Sequence, residues 1–141
     1  MTIQAKTKSK AKTKIKAKTK RTSRIKRKLT TKDWANIAAE AAEDKKALEI
    51  KIIEVKKLTS LADYLVICTG ESAPQIRAIS SNVEDKLREK GVKSIRWEGR
   101  EASNWFILDA GSIIVHIFGK EERQRYKLED LWGKRGITYH L

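Results

Sequence analysis

The chain has 141 residues and a formal net charge of +14, from 32 Lys and Arg against 18 Asp and Glu. The first 32 residues hold 14 of those cations and no acid, so residues 33–141 are neutral and the excess belongs to one segment. This excludes a basic folded domain and leaves room for one modest core, while apolar runs such as Leu65-Val66-Ile67-Cys68 are too short to cross a membrane.

Residues 1–32 are read as a disordered basic tail and residues 33–141 as the folded domain. The tail repeats Ala-Lys-Thr-Lys from Ala5, Ala11 and Ala17. Lys6, Lys8, Lys10, Lys12, Lys14, Lys16, Lys18 and Lys20 fall on alternate positions, followed by Arg21. Like charges repel, and Ile3, Ile15, Ile25 and Leu29 offer little to bury. In an extended chain, alternate lysines point to both sides and can follow a phosphate backbone. The expected partner is nucleic acid, read by charge and not by sequence, because no aromatic residue is present to stack on bases. A tail that only aids solubility is the plainer alternative. No apolar segment follows it, so a secretory signal is not expected. The expected compartment is the cytoplasm, with an organelle transit peptide as the alternative reading of an acid-free basic segment.

Thr30, Thr31 or Asp33 can cap a helix running to about Lys46, with Trp34, Ile37, Ala38, Ala41 and Ala42 on one stripe. A strand is predicted over Ile50 to Lys57. A second over Tyr64 to Thr69 is continuously apolar, and so central. Cys68 lies inside it, as a small buried hydrophobe; a single cysteine excludes a disulfide framework. Ser72 reads as an N-cap with Gln75 as its capping-box partner and Pro74 in the first turn. Ile76, Ile79, Val83 and Leu87 then make a helical stripe up to a Gly91 stop. Short strands follow over Val92 to Trp97, Trp105 to Asp109 and Ser112 to Phe118. A final helix is expected over Glu121 to Trp132. The order α-β-β-α-β-β-β-α predicts one α/β sandwich on a mixed five-stranded sheet.

With Ala110-Gly111 as a tight loop, Asp109 should face Ser112, Ile107 should face Ile114, and Trp105 should face His116. Alternation then puts Trp105, Ile107, Asp109, Ser112, Ile114 and His116 on one face. Phe106, Leu108, Ile113, Val115 and Ile117 form a purely apolar core face. The first set has the composition of a protein-binding surface, an aromatic anchor with polar neighbours. Alternatively, the last helix covers it and His116 is a satisfied core residue.

Catalytic parts are missing from the sequence. Gly119-Lys120 is followed by Glu121, without the Ser or Thr and upstream glycine of a phosphate loop. No Gly-x-Ser-x-Gly elbow occurs. His116 and His140 are too few for a histidine metal site. Asp63 and Asp109 are single acids beside strands, without the paired carboxylates of two-metal chemistry. The Gly70-Glu71-Ser72 turn opens a helix, but Glu71 would repel a phosphate there. No cofactor and no metal are expected.

Residues from about Lys46 to Trp132 resemble the ribosomal silencing factor family, also called Iojap-like proteins. The matching stretches are Ser60 to Gly70, Gln75 to Ile79, Glu98-Gly99, Asn104 to Asp109, Gly111 to Phe118 and Arg125 to Gly133. The basic tail lies outside the match. The resemblance implies a nucleotidyltransferase-like fold without its catalytic carboxylates, and a protein that is not an enzyme. It implies binding to universal large-subunit ribosomal protein fourteen, where it would block joining of the small subunit and repress translation. The family's partner-binding Trp and Asp map onto Trp105 and Asp109. Ile107, Ser112, Ile114 and His116 extend that surface by the alternation above, and the tail would lie on nearby ribosomal RNA. Off the ribosome, the exposed face could pair with a second copy of the chain.

Overall fold

A computed structural model describes residues 28–99, 104–133 and 136–140. The tail repeat, Lys6 to Lys20 with Arg21, lies outside the described residues. The first element of the described residues is helix α1, Thr31–Asp44, capped by Thr30. The Thr30 hydroxyl accepts from the Asp33 amide at 3.2 Å, and the Asp33 carboxylate accepts from the Thr30 amide at 2.8 Å. This reciprocal box ties off two of the donors that a helix start leaves open. It also takes Thr31 and Lys32 out of the tail and into the domain.

Strands β1 (Leu48–Glu54) and β2 (Tyr64–Thr69) follow, then helix α2, Ala73–Glu89. Ser72 caps α2 as expected, accepting from the Gln75 amide. The Gln75 side chain departs from the expected box: its oxygen accepts from the Glu71 amide, and its nitrogen donates to the Lys45 and Lys46 carbonyls. Gln75 thus clips the start of α2 to the end of α1. Gly91, at φ +110, ends α2 in a backbone region that costs other residues energy.

Strand β3 shrinks to Arg96–Glu98, while Val92 and Ile95 pack against the core as irregular chain. Strands β4 (Trp105–Asp109) and β5 (Ile113–Phe118) form the hairpin. The expected single last helix is two: α3, Lys120–Tyr126, and α4, Leu128–Gly133, broken at Lys127 in the left-handed region. A further strand, β6 (Ile137–His140), joins the five expected ones.

The mixed sheet has the order β3-β4-β5-β2-β1-β6, with β2 and β5 parallel and the other pairs antiparallel. β2 lies inside the sheet and is buried along its whole length, Cys68 included. Helices α1 and α2 cover one face. Ile52, Tyr64, Val66, Phe106, Leu108, Ile113, Val115 and Ile117 meet Ile76, Ile79, Val83 and Leu87 there. The small side chains Ala35, Ala38, Ala39, Ala41 and Ala42 let α1 settle closely into that layer. The opposite face holds a smaller cluster of Ile53, Val55, Leu65, Ile67 and Phe118, with Leu128 and Trp132 of α4 packed on it. The apolar face predicted for the hairpin is therefore the main core. Its other face is only partly roofed.

Candidate partner-binding face

The hairpin register differs from the expected one. Trp105 pairs with Phe118, Ile107 with His116, and Asp109 with Ile114. The turn sits one residue further along: the Ala110 amide donates to the Ile113 carbonyl at 3.0 Å, with Gly111 and Ser112 at the tip. Gly111 has φ +84, and glycine first of two central residues is the preference of a II′ hairpin turn. The Asp109 carboxylate stabilises this turn by accepting from the Gly111 amide at 2.9 Å. The slip is two residues, so side chains keep their faces. Trp105, Ile107, Asp109, Ile114 and His116 stand together as expected. Ser112 leaves the strand for the turn, where its carbonyl accepts from the Asp63 amide at 2.7 Å.

Trp105 is half-buried in an aromatic cluster. Its ring centroid lies 5.0 Å from Phe118 and 4.5 Å from Tyr126 of α3. Its indole N–H donates to Nδ1 of His116 at 3.1 Å. His116 is only 9% exposed, and burial pushes its pKa down to about 4. The ring is therefore neutral at pH 7 and, with Nδ1 accepting, keeps its proton on Nε2. This corrects the expected role of His116: it braces Trp105 from behind and offers little surface of its own. Phe118, to which the strand alternation assigned no face, forms the buried floor of the same cluster.

Beyond the aromatic cluster the face is partly exposed. Ile107 and Asp109 are half-buried and Ile107 belongs to neither core cluster, while Ile114, also half-buried, packs against the edge of the smaller one. Asp109 pairs with Arg96 of β3, Nη2 to Oδ2, at 3.4 Å. Tyr126 and Leu131 add exposed apolar surface along the roof. Sequence reasoning missed Arg96, Glu98 and Tyr126 as neighbours of this face. The first two needed the β3–β4 register, and Tyr126 needed the break at Lys127.

That roof is held by one buried cation. Arg123 of α3, 5% exposed, donates to Glu129 Oε2 at 2.9 Å, Thr69 Oγ1 at 2.8 Å and the Glu49 carbonyl at 2.8 Å. In a continuous helix, residues six apart stand about 9 Å apart along the axis and about 120° around it. The Arg123–Glu129 contact therefore requires the break.

At the carboxyl ends of β2 and β5 lies a cavity of about 200 Å³, lined by Gly70, Ser72, Asn104, Gly119, Lys120 and the acidic residues Glu71, Glu121 and Glu122 among others. Lys120 pairs with Glu71 beside it at 3.4 Å. Asp63 and Asp109 lie at the opposite end of the sheet. Among the described residues, no three His, Cys, Asp or Glu side chains come together to hold a metal. No helix among them is long and apolar enough to cross a membrane.

The family profile described as "Ribosomal silencing factor during starvation" matches residues 28–139. "Ribosomal silencing factor RsfS" of Bacillus subtilis is 37% identical over 105 residues, spanning 74% of this chain and 89% of that protein. "Protein Iojap, chloroplastic" of Arabidopsis thaliana is 37% identical over 95 residues, 67% of this chain and 40% of the plant protein. A crystal structure of a Chromobacterium violaceum protein superposes with a TM-score of 0.72 at 36% identity, covering 74% of this chain and 88% of that one.

Proposed function

The chain belongs to the ribosomal silencing factor family, and on that premise we propose that its folded domain binds universal large-subunit protein fourteen through the Trp105 face. Bound there, it blocks joining of the small subunit and represses translation. The observation that carries the reading is the half-roofed sheet face. Trp105 is fixed by Phe118, Tyr126 and His116, so it meets a partner with little rotamer freedom left to lose. Ile107 and Ile114 continue the apolar centre, and Asp109 with the Ser112 turn forms a polar rim, the layout of a protein-binding surface. The tail adds non-specific contacts to ribosomal RNA. The chain acts by occupying a surface, with no catalytic step and no cofactor. The proposed site of action is the cytoplasm; the relative named as chloroplastic makes an organelle the alternative.

Co-sedimentation with purified large and small ribosomal subunits tests this. The full chain and the chain lacking residues 1–27 should pellet with large subunits alone. Trp105→Ala should lose at least ~2 kcal/mol of binding. Because Trp105 also packs within the chain, Ile107→Arg on the open part of the face is measured beside it and should lose binding too. A folded Ile107→Arg that sediments like wild type overturns the reading. Binding that follows the tail and ignores subunit type would establish a charge-driven RNA binder instead.

A further inference from the structure

The β3–β4 register places two more charges on the Trp105 face. Arg96 stands opposite Asp109, and Glu98 opposite Ile107. A row of facing residues thus runs Glu98, Ile107, His116, Ile67, from the charged edge of the sheet to its buried centre. The two acids in these rows differ in what they can still do. Asp109 is spent: one oxygen accepts from the Gly111 amide at 2.9 Å, the other meets Arg96 at 3.4 Å, and the side chain is 27% exposed. A partner cation arriving at Asp109 would only replace Arg96, which is 78% exposed and free to follow. Glu98 is exposed and has no ion-pair partner among the described residues.

We infer that Glu98 is the acidic contact of this face, receiving a Lys or Arg side chain of the basic protein that docks over Trp105 and Ile107. Arg96 and Asp109 remain an internal pair that shapes the turn. The assignment rests on the partner-face reading given above. Its physical basis is that an exposed carboxylate beside an apolar patch gains most when a partner covers both: the water that screened it leaves, and its attraction for a cation grows. At the rim, such a charge acts chiefly on association rate and on salt dependence.

The test uses purified universal large-subunit protein fourteen as the probe, which removes ribosomal RNA and the tail's attraction to it. Association rates of the full chain are measured at low and high salt. Glu98→Gln should slow association several-fold at low salt and less at high salt. Glu98→Lys should slow it by at least about tenfold. Asp109→Asn should change the salt dependence less than Glu98→Gln does. If Glu98→Lys associates at the wild-type rate while Trp105→Ala and Ile107→Arg lose binding, this inference is overturned and the partner face stands. If Trp105→Ala and Ile107→Arg also bind normally, the face itself is wrong and the inference falls with it. A salt dependence that disappears in Asp109→Asn and persists in Glu98→Gln would assign the contact to Asp109 and overturn the role given to Glu98.

Discussion

Trp105 has one polar hydrogen and gives it to His116. The indole therefore offers a partner its ring and edge, and what fixes its orientation is a histidine that must stay neutral to accept. This makes acid a probe of the site. The His116 pKa lies at about 4 in the fold against an ordinary 6.5, because burial penalises the charged ring. Between those values the unfolded chain binds the proton and the folded chain does not, so stability is present above pH 6.5 and is lost as pH falls toward 4. The loss is on the order of 3 kcal/mol. Urea unfolding of wild type and His116→Gln across that range checks it, since the variant should show a shallower slope. Equal slopes would remove His116 from the account. The composition of this face was legible in the sequence because alternation alone assigns faces, and alternation survives a two-residue slip. The burial of His116 was one of two readings left open by the residues, because it depends on Tyr126 and Phe118 closing around Trp105.

Helices α3 and α4 show what a local pattern can and cannot reveal. Tyr126, Leu128, Leu131 and Trp132 read as one amphipathic run, and neither glycine nor proline marks the break at Lys127. The break is imposed from a distance by Arg123, which gathers Thr69, Glu49 and Glu129 onto one guanidinium. Removing that cation leaves the partly buried Glu129 with only the longer Lys51 contact at 3.9 Å, leaves Thr69 and the Glu49 carbonyl without their donor, and the Glu129 Oε1 already lacks a hydrogen-bond partner. Arg123→Met should therefore destabilise the domain by about 3–5 kcal/mol, and adding Glu129→Met should recover part of the loss. Thermal unfolding of the two single variants and the double variant reads this out; strictly additive losses would show that the pair does not act as a unit. Strand β6 was missed for a different reason. Four residues carry too little pattern, and the strand exists because β1 has an edge for it to pair with. Gly136 was the available signal: a Cβ there would lie 2.6 Å from the Glu54 carbonyl, so the chain can approach β1 at that point only without a side chain.

At the scale of the whole molecule, charge and shape are divided between separate regions. The domain is close to neutral and directional, with two long helices filling one side of its sheet and a half-open roof on the other. Residues 1–32 carry a charge of +14, and on the proposed reading the tail meets phosphate from any direction. This division predicts separable losses on whole large subunits. Tail contacts to ~6 phosphates would give a log–log salt slope near −4. Deleting residues 1–27 should flatten that slope and leave the preference for large over small subunits intact. A slope unchanged by the deletion would take the tail off the RNA. The layer arrangement was legible because every core strand and both long helices carry their own periodicity and caps. The extent of the roof was not, because it is set by contacts between elements far apart in the chain.

The alternation along β4 also limits how this protein can change length. One residue inserted between Trp105 and Asp109 would turn one of them from the open face into the packed core, and a pair of inserted residues would leave both outward. Insertions and deletions in this strand are thus sieved by parity: even steps can be inherited as a longer or shorter surface, while odd steps must undo either the outward-facing residues or the fold beneath them.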